Sequence, residues 1–284
     1  MRIFITGGTG FIGRYIVHTL KEKYRLILPV RDKKRAYALF GKTENITLLD
    51  FSENLEQLVV SQKPDLIINL LGILTESKGN SFEKVHVEYT KQLVNGALET
   101  GFVKFIQMSA LGADVNSKSR YAKTKAQAEL YVKNSGLEYV IFRPSIIIGR
   151  EQRLFKDLKR FSKIAPFFLA PKGKVQPVHI YDVVDCFIKV VEENIKNETF
   201  ELCGSMVVSY KKLFEFALSF TGVKKPVIEM PVGFFFLLLP FFSVLPEPPF
   251  TKDQLYMLQK DNVCTGKFKG TQHLLGFVRN PFDI

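Results

Sequence analysis

Two residues near the middle of the chain, Tyr121 and Lys125, have the types and spacing of an acid–base pair. Residues four apart on a helix lie on one face, one turn from each other. A free phenol has a pKa near ~10, and a neighbouring ammonium lowers it by stabilising the phenolate. Ser109, on the preceding predicted strand end, could orient a substrate carbonyl. Tyr121, Lys125 and Ser109 are therefore the candidate catalytic residues; the alternative is a surface tyrosine beside a lysine that only binds a ribose.

Glycines at the start of the chain form a second candidate site, a glycine-rich turn. Residues 3–5 are apolar and long enough for a buried strand, and residues 15–20 continue at helical spacing. A strand, a glycine turn and a helix in succession form a cradle whose backbone N–H groups bind a pyrophosphate. The alternative is a glycine turn kept for packing. The candidate cofactor contacts in this turn are Gly7, Thr9, Gly10, Phe11, Ile12 and Gly13.

A basic cluster follows the second predicted strand, which covers residues 25–30. In this type of fold, an acid at that strand end binds the 2′-hydroxyl of NAD, whereas a basic residue accommodates the 2′-phosphate of NADP. Arg31, Lys34 and Arg35 favour NADP(H). Asp32 is the competing feature, because an acid near that position suits NAD(H). We expect NADP(H) and keep NAD(H) as the alternative; the cluster could also be only the solvated start of a helix.

The remaining strands and helices of the first half alternate along the chain. Apolar runs predict strands over 46–49, 65–72, 103–108 and 137–142, separated by helices over 52–60, 80–100 and 119–136. Ser52 is the expected N-cap of the first of these helices. This alternation predicts an α/β fold, a doubly wound parallel sheet of Rossmann type over residues 1–144. A smaller α+β lobe is expected over 145–284, partly interleaved with the first domain.

Polar residues and a glycine lie where two predicted strands end. Asp50 closes the third strand, and Asn69 and Gly72 close the fourth. Because ligands of open α/β sheets bind at the carboxyl ends of the strands, these positions are candidate ligand contacts. Asn69 has the alternative role of a structural turn former.

Composition limits the other classes of function. The 284 residues carry a net charge of +12, which suits anionic partners such as cofactor phosphates or acidic lipid head groups. We recognise no nucleic-acid-binding module and expect no nucleic-acid partner. The four histidines are scattered, so we expect no metal site. Three widely spaced cysteines, Cys186, Cys203 and Cys264, predict no disulfide and a reducing compartment.

Two stretches of the second lobe could form a contact surface. Residues 150–164 carry basic and apolar side chains at helical spacing, and residues 232–245 are almost entirely apolar. The longest uncharged run, 230–246, is interrupted by Pro231 and Pro240 and is shorter than the ~20 residues of a membrane span, so we expect no transmembrane segment. The apolar stretch is either a buried element or a surface that contacts a membrane or a hydrophobic partner.

Several motifs together resemble the atypical or extended short-chain dehydrogenase/reductase family. They cover residues 6–13, 69–72, 121–125, 143–145 and 178–182. A further set is similar to the nucleotide-binding accessory-subunit family of respiratory complex I (alpha subcomplex subunit 9) and its bacterial relatives. This set covers residues 85–87, 108–113, 119–121, 148–151, 176–178, 248–254 and 261–263, and so reaches into the C-terminal lobe.

The resemblance implies a tightly bound NADPH and a position beside the quinone-reaction region of complex I, near the membrane surface. In the mitochondrial complex such a subunit is non-catalytic. On the family pattern, Gly7, Gly10 and Gly13 touch the pyrophosphate. The same pattern places Arg31 at the 2′-phosphate, Asp50 at the adenine and Lys125 at the nicotinamide ribose. It adds these cofactor contacts: Leu70, Gly72, Ser109, Tyr121, Pro144 and Ile147.

One departure from the family pattern bears on activity. Ser109 is followed by Ala110 and Leu111, where enzymes of the family carry further hydroxyl residues. We therefore expect an accessory-subunit-type protein that holds NADPH and docks on complex I subunits. The alternative is an active NAD(P)-dependent oxidoreductase or epimerase acting on a carbonyl or sugar-type substrate. Because the chain begins at the glycine strand without an import leader, we expect a bacterial-type cytoplasmic protein, either free or peripheral on the cytoplasmic face of the inner membrane.

Overall fold

The computed structural model describes residues 1–101, 103–242 and 248–284. These residues form two compact units. The first consists of Met1–Arg143 and Val184–Phe200, and the second of Pro144–Val183 and Glu201–Ile284. Residues 243–247, which include the end of the predicted apolar stretch, lie outside the described residues.

Strands and helices alternate along the first part of the chain, as the apolar runs predict. The strands are β1 (Arg2–Thr6), β2 (Arg25–Val30), β3 (Ile46–Asp50), β4 (Leu66–Asn69), β5 (Lys104–Met108), β6 (Tyr139–Pro144), β7 (Ile147–Ile148), β8 (Phe168–Pro171), β9 (Lys174–Val175), β10 (Val178–His179), β11 (Glu198–Leu202), β12 (Val208–Ser209), β13 (Val227–Met230) and β14 (Lys269–Gly270).

Helices cover much of the rest. They are α1 (Gly13–Leu20), α2 (Lys33–Phe40), α3 (Leu55–Gln62), a π-helix (Glu83–Glu88) continued by α4 (Tyr89–Thr100), α5 (Arg120–Lys133), α6 (Arg153–Phe161), α7 (Ile180–Glu192), α8 (Tyr210–Phe220), α9 (Val232–Phe242), α10 (Lys252–Met257) and α11 (Thr271–Leu275).

The main sheet has eight strands in the order β14-β11-β6-β5-β4-β1-β2-β3. Each adjacent pair from β6 to β3 is parallel. Phe4 in β1 lies opposite Ile27 on one side and Ile67 on the other, and all three side chains are buried. Strands covered by helices on both faces read as continuous apolar runs, which is how the sequence predicts them. The expected doubly wound parallel sheet is confirmed.

Short polar side chains begin most of the helices that bear on the site. Ser119 accepts a hydrogen bond from Ala122 N at the start of α5, as predicted. The predicted cap of α3 was wrong. Asn54, and not Ser52, accepts a bond from a first-turn N–H group of α3, that of Gln57. Ser52 Oγ instead accepts a hydrogen bond from Asn54 N, two residues further along the loop, at 3.1 Å.

The second unit is built from short ladders and its own apolar core. β7 pairs with β10 and β8 with β13 in parallel, and β9 pairs with β12 antiparallel. Phe155 and Leu158 of α6 and Leu213 of α8 are buried in one cluster. Thr251 and Gln254 form a capping box at the start of α10. Within the described ranges, none of the helices combines the length and apolar composition that crossing a bilayer requires.

The expectation that the cysteines form no disulfide was wrong. Cys203 and Cys264 are joined by a disulfide, and Cys186 is a buried cysteine that takes no part in it. The two bonded residues lie 61 apart in the sequence, and they meet because the end of β11 lies beside the segment that precedes β14. Spacing along the chain does not reveal such a contact. The cysteine pattern therefore no longer supports a reducing compartment.

Candidate functional site

The glycine turn connects the end of β1 to the start of α1. Gly7 has a φ of +70°, a conformation that L side chains rarely adopt, and a Cβ there would lie 3.0 Å from Leu70 O. Its carbonyl accepts a hydrogen bond from Gly10 N at 2.9 Å, which closes the turn. Gly10 is exposed. The backbone between Gly7 and Gly10 can therefore be approached by a ligand without an intervening side chain.

Gly13 brings the first turn of α1 against this loop. A Cβ on Gly13 would lie 2.2 Å from Gly7 O and 2.8 Å from Gly8 Cα, closer than atoms can approach. Among the described residues, no side chain caps the first turn of α1. A helix N-terminus of this kind offers backbone N–H groups and a positive dipole end to an anion. The residues present therefore fit the pyrophosphate of a dinucleotide.

The other members of the predicted turn, Thr9, Phe11 and Ile12, are half-buried around it. Leu70 N donates to Thr6 O at 3.2 Å, so Leu70 directly follows the β4 end beside the turn. Pro144 and Ile147 belong to the second unit, where Ile147 begins β7.

Arg31 follows β2 and is exposed. Its Nη2 donates to Asn80 Oδ1 at 3.1 Å, and its guanidinium carbon lies 5.1 Å from the centre of the Phe51 ring. Lys34 and Arg35 are also exposed, on the first turn of α2. The β2 end thus carries accessible cations that suit a phosphate.

The two acids near this strand end are engaged locally. Asp32 is the N-cap of α2, and its carboxylate accepts from Arg35 N at 3.0 Å. Asp50, at the end of β3, accepts from Lys33 Nζ at 2.8 Å. Capping α2 is therefore a sufficient structural role for Asp32, and its presence does not require that it bind a cofactor ribose. Asp50 remains exposed beside the same strand ends.

Lys125 lies on α5 with its ammonium buried. Nζ donates to Met108 O at 3.1 Å and to Leu71 O at 3.3 Å, and the residue is 3% exposed. Burial lowers the pKa of Lys125 to about 8, because no carboxylate fully compensates the charge. A Cβ on Gly72 would lie 3.1 Å from Nζ, so the glycine leaves room for the ammonium.

His86, in the π-helix, contacts the same helix face and was not singled out from the sequence. Nε2 accepts from Ile73 N at 3.2 Å, so the proton of the neutral ring lies on Nδ1, 2.9 Å from Thr124 Oγ1. Its ring packs edge-on against Tyr121 with 5.3 Å between centres. Burial, and then the charge of Lys125, lower the pKa of His86 to about 2. A π-helix is a rare element that often marks a functional site.

Ser109 is buried and donates its hydroxyl hydrogen to Glu129. Glu129 is 2% exposed and also accepts from Arg143 Nε at 2.8 Å and Nη2 at 2.6 Å. Neither Glu129 nor Arg143 was predicted as part of the site. Two sequence signals were present: Glu129 lies four residues after Lys125 on the same helix, and Arg143 begins the motif at residues 143–145. A serine that donates to a buried carboxylate must break that bond before it can donate to a substrate carbonyl.

Asn69 is buried and fully engaged. Its Oδ1 accepts from Thr6 Oγ1 at 2.6 Å and its Nδ2 donates to Thr90 Oγ1 at 3.1 Å and Gln107 Oε1 at 3.0 Å. The Asn69 side chain therefore connects β1, β4, β5 and α4, and this structural role is sufficient to explain an asparagine at this position. Among the described residues, the structure brings together no group of His, Cys, Asp and Glu side chains that could hold a metal ion.

Comparison with known proteins shows to which family this chain belongs. A family model described as the NAD dependent epimerase/dehydratase family matches residues 3–203. The chain belongs to this family. Its fold is similar to a solved structure, that of UDP-glucuronic acid 4-epimerase from Bacillus cereus in complex with UDP-glucuronic acid and NAD. The TM-score is 0.72 at 17% identity, over 100% of this chain and 96% of that one, a likeness that concerns the fold.

Within the epimerase/dehydratase family, the chain is similar to mitochondrial respiratory subunits. It is 31% identical over 284 residues to the Arabidopsis thaliana NADH dehydrogenase [ubiquinone] 1 alpha subcomplex subunit 9, covering 92% of this chain and 70% of that one. It is 30% identical over 222 residues to the Neurospora crassa NADH-ubiquinone oxidoreductase 40 kDa subunit, covering 74% of this chain and 58% of that one. These matches confirm the resemblance drawn from the motifs.

Proposed function

We propose that this protein holds NADP(H) as a resident cofactor and serves as an accessory-subunit-type component of a respiratory assembly. The observation that carries the proposal is the uncapped glycine cradle of α1 together with the exposed cations at the β2 end. The cradle fits a pyrophosphate, and Arg31 suits a 2′-phosphate. A bound nicotinamide would supply hydride chemistry. Lys125, through its buried ammonium, would hold a ribose hydroxyl beside Gly72.

The hydrogen bond of Ser109 favours a protein that retains its cofactor over an enzyme that turns over a substrate. Its hydroxyl is directed to Glu129, and the next two residues, Ala110 and Leu111, have no hydroxyl group. Because Glu129 also binds Arg143 through two bonds, it is a fixed charged acceptor that Ser109 leaves only at a cost. In this arrangement the Ser109 hydroxyl donates to Glu129 and is not available to polarise a substrate carbonyl.

Two surfaces of the second unit support docking on a membrane-proximal respiratory partner. On α9, Leu237 is 70% exposed and Phe241 is 75% exposed, four residues apart on one helix face. On α6, Lys156 and Lys159 are exposed, and Ile164 just beyond the helix is 82% exposed. Large exposed apolar side chains near cations suit a hydrophobic partner at an anionic membrane surface. The relatives named as mitochondrial respiratory subunits support the same proposal.

The proposal is tested on the native protein. The chain is purified in mild detergent from its own cells, and the retained nucleotide and co-purifying proteins are identified by mass spectrometry. We expect stoichiometric NADPH and subunits of a respiratory complex. An empty nucleotide site would contradict the proposal that the cofactor is resident. A protein that never co-migrates with respiratory subunits would contradict the proposal that it docks on a respiratory assembly.

A second candidate function is hydride transfer to a carbonyl or sugar-type substrate. The observation that favours it is the Tyr121–Lys125 pair on one face of α5, with the lysine pKa lowered to about 8. Lys125 would stabilise the Tyr121 phenolate, and the phenol would give or take the substrate proton.

The Tyr121→Phe variant tests this second function against a panel of carbonyl and nucleotide-sugar substrates. We expect turnover to fall ~10²–10⁴-fold if Tyr121 is the acid–base residue, with NADPH affinity nearly unchanged. Equal turnover in the variant and the wild type would rule out this role.

A further inference from the structure

The loop after β4 ends in a tight hairpin that reaches Arg31. We call residues 76–82 the Asn80 hairpin. Ser77 N donates to Asn80 O at 3.1 Å and Asn80 N donates to Ser77 O at 2.9 Å. At its base, Glu76 accepts from Phe82 N at 2.9 Å and from Arg120 Nη1 at 2.7 Å. The hairpin is therefore fastened to α5 and presents the Asn80 side chain from a defined backbone.

The course of this loop places it across the candidate dinucleotide site. β4 and β2 flank β1 in the sheet, so their ends are about 10 Å apart. A loop that leaves β4 and brings Asn80 to Arg31 crosses the carboxyl end of β1, where the glycine turn lies. The Asn80 hairpin and the glycine turn thus lie at neighbouring strand ends, where we propose that the dinucleotide binds.

Two contacts fix the Arg31 guanidinium. Asn80 Oδ1 accepts from Nη2, and the Phe51 ring lies below the guanidinium carbon at 5.1 Å. Phe51 is itself tied to the β2 end, because its N–H donates to Val30 O at 3.0 Å. Within the described residues, the remaining guanidinium N–H groups have no protein acceptor, so they can meet a phosphate.

We propose that Asn80 is a specificity-determining residue of the dinucleotide site, holding Arg31 where a ribose 2′-phosphate is a better ligand than a 2′-hydroxyl. This inference rests on the proposed NADP(H) function. The neutral amide is the decisive feature, because it accepts from the guanidinium without neutralising it. A carboxylate in its place would pair with Arg31, repel a 2′-phosphate and accept a hydrogen bond from a 2′-hydroxyl.

The test measures the dissociation constants of NADPH and NADH by nucleotide fluorescence on the full chain freed of nucleotide. We expect Asn80→Ala to weaken NADPH about tenfold and NADH less than about twofold, since it removes one hydrogen bond to a charged group. Asn80→Asp should lower the preference for NADPH below that of the alanine variant. Ser77→Ala, on the same hairpin, is the matched control and should keep the wild-type preference and melting temperature.

A double variant separates positioning from direct binding. If Asn80 acts through Arg31, adding Asn80→Ala to Arg31→Ala changes NADPH affinity by less than about twofold. Additive losses, or equal losses of NADPH and NADH in Asn80→Ala, would overturn the inference. If the wild type shows no NADPH preference and Arg31→Ala changes nothing, the proposed NADPH function itself fails. If Arg31→Ala abolishes a preference that Asn80→Ala retains, only the role of Asn80 fails.

Discussion

Lys125 has an ammonium that the fold buries, and two backbone carbonyls, those of Leu71 and Met108, accept its hydrogen bonds. The sequence predicts its pairing with Tyr121 because both lie on one local helix face. His86 comes from a different helix, and Glu129, although on the same helix as Lys125, is bound by side chains from other elements. No local spacing reveals that His86 receives a bond from Ile73 or that Glu129 receives one from Ser109. Local motifs therefore predict candidate ligand-binding residues, whereas tertiary packing decides which side chains those residues contact.

The lowered pKa of Lys125 makes stability depend on pH. Its folded pKa is about 8 and its ordinary value is 10.5, so between these pH values the unfolded chain binds more protons than the folded chain. The free energy of unfolding therefore rises with pH through this window. Below pH 8 the folded state bears the full penalty of a buried charge.

Lys125→Met removes this titration. In the nucleotide-free protein, we expect the stability of the wild type relative to the variant to rise by roughly 3 kcal/mol from below pH 8 to above pH 10.5. Urea unfolding at a series of pH values measures the difference. Parallel stability curves for the two proteins would show that the ammonium is not buried as described.

At the scale of elements, buried strands were the most predictable part of the fold. β2 has the bounds 25–30 that the sequence predicts, since parallel strands covered on both faces need continuous apolar runs. The π-helix before α4 was missed, because an apolar periodic pattern does not distinguish a π-turn from an α-turn. The β8–β13 ladder and the Cys203–Cys264 disulfide were also missed. Both join segments separated by more than fifty residues, and composition does not specify such pairings.

In the strand–turn–helix element, Gly13 is needed for packing, whereas Gly10 is proposed to allow a ligand to approach the backbone. A Cβ on Gly13 meets backbone atoms of Gly7 and Gly8, whereas a Cβ on exposed Gly10 meets only Gly7 O, at 3.0 Å. We expect Gly13→Ala to reduce the free energy of unfolding by roughly 1–3 kcal/mol, because backbone must move. Gly10→Ala should fold nearly normally and lose at least about tenfold in NADPH affinity, because its methyl group blocks close approach of the pyrophosphate.

Urea unfolding and NADPH titration of both glycine variants measure these effects. Gly233→Ala is the control, since a Cβ at that position of α9 meets nothing within 4 Å. A Gly13→Ala protein as stable as the wild type would contradict the close packing of α1 on the turn. Unchanged NADPH binding in Gly10→Ala would contradict the cradle.

For the molecule as a whole, charge and exposed apolar surface point to an anionic, membrane-proximal partner. The net charge is +12, and the second unit exposes Leu237 and Phe241 on α9. Burying two large apolar side chains in an interface contributes roughly 1.5–3 kcal/mol each. We therefore expect the Leu237→Ser/Phe241→Ser double variant to lose at least about tenfold in partner affinity. Its unfolding free energy should stay within about 0.5 kcal/mol of the wild type, because both side chains are exposed.

Native gel electrophoresis of detergent-solubilised membranes, followed by detection of the chain, measures this loss. The matched control is Leu98→Ser, which changes a 49% exposed leucine on α4 of the first unit. We expect Leu98→Ser to co-migrate with the respiratory complex and the double variant to migrate alone with NADPH still bound. If the double variant also co-migrates, α9 is not the docking surface. If it loses NADPH as well, the substitutions have disturbed the fold, and the loss of docking cannot be assigned to the α9 surface.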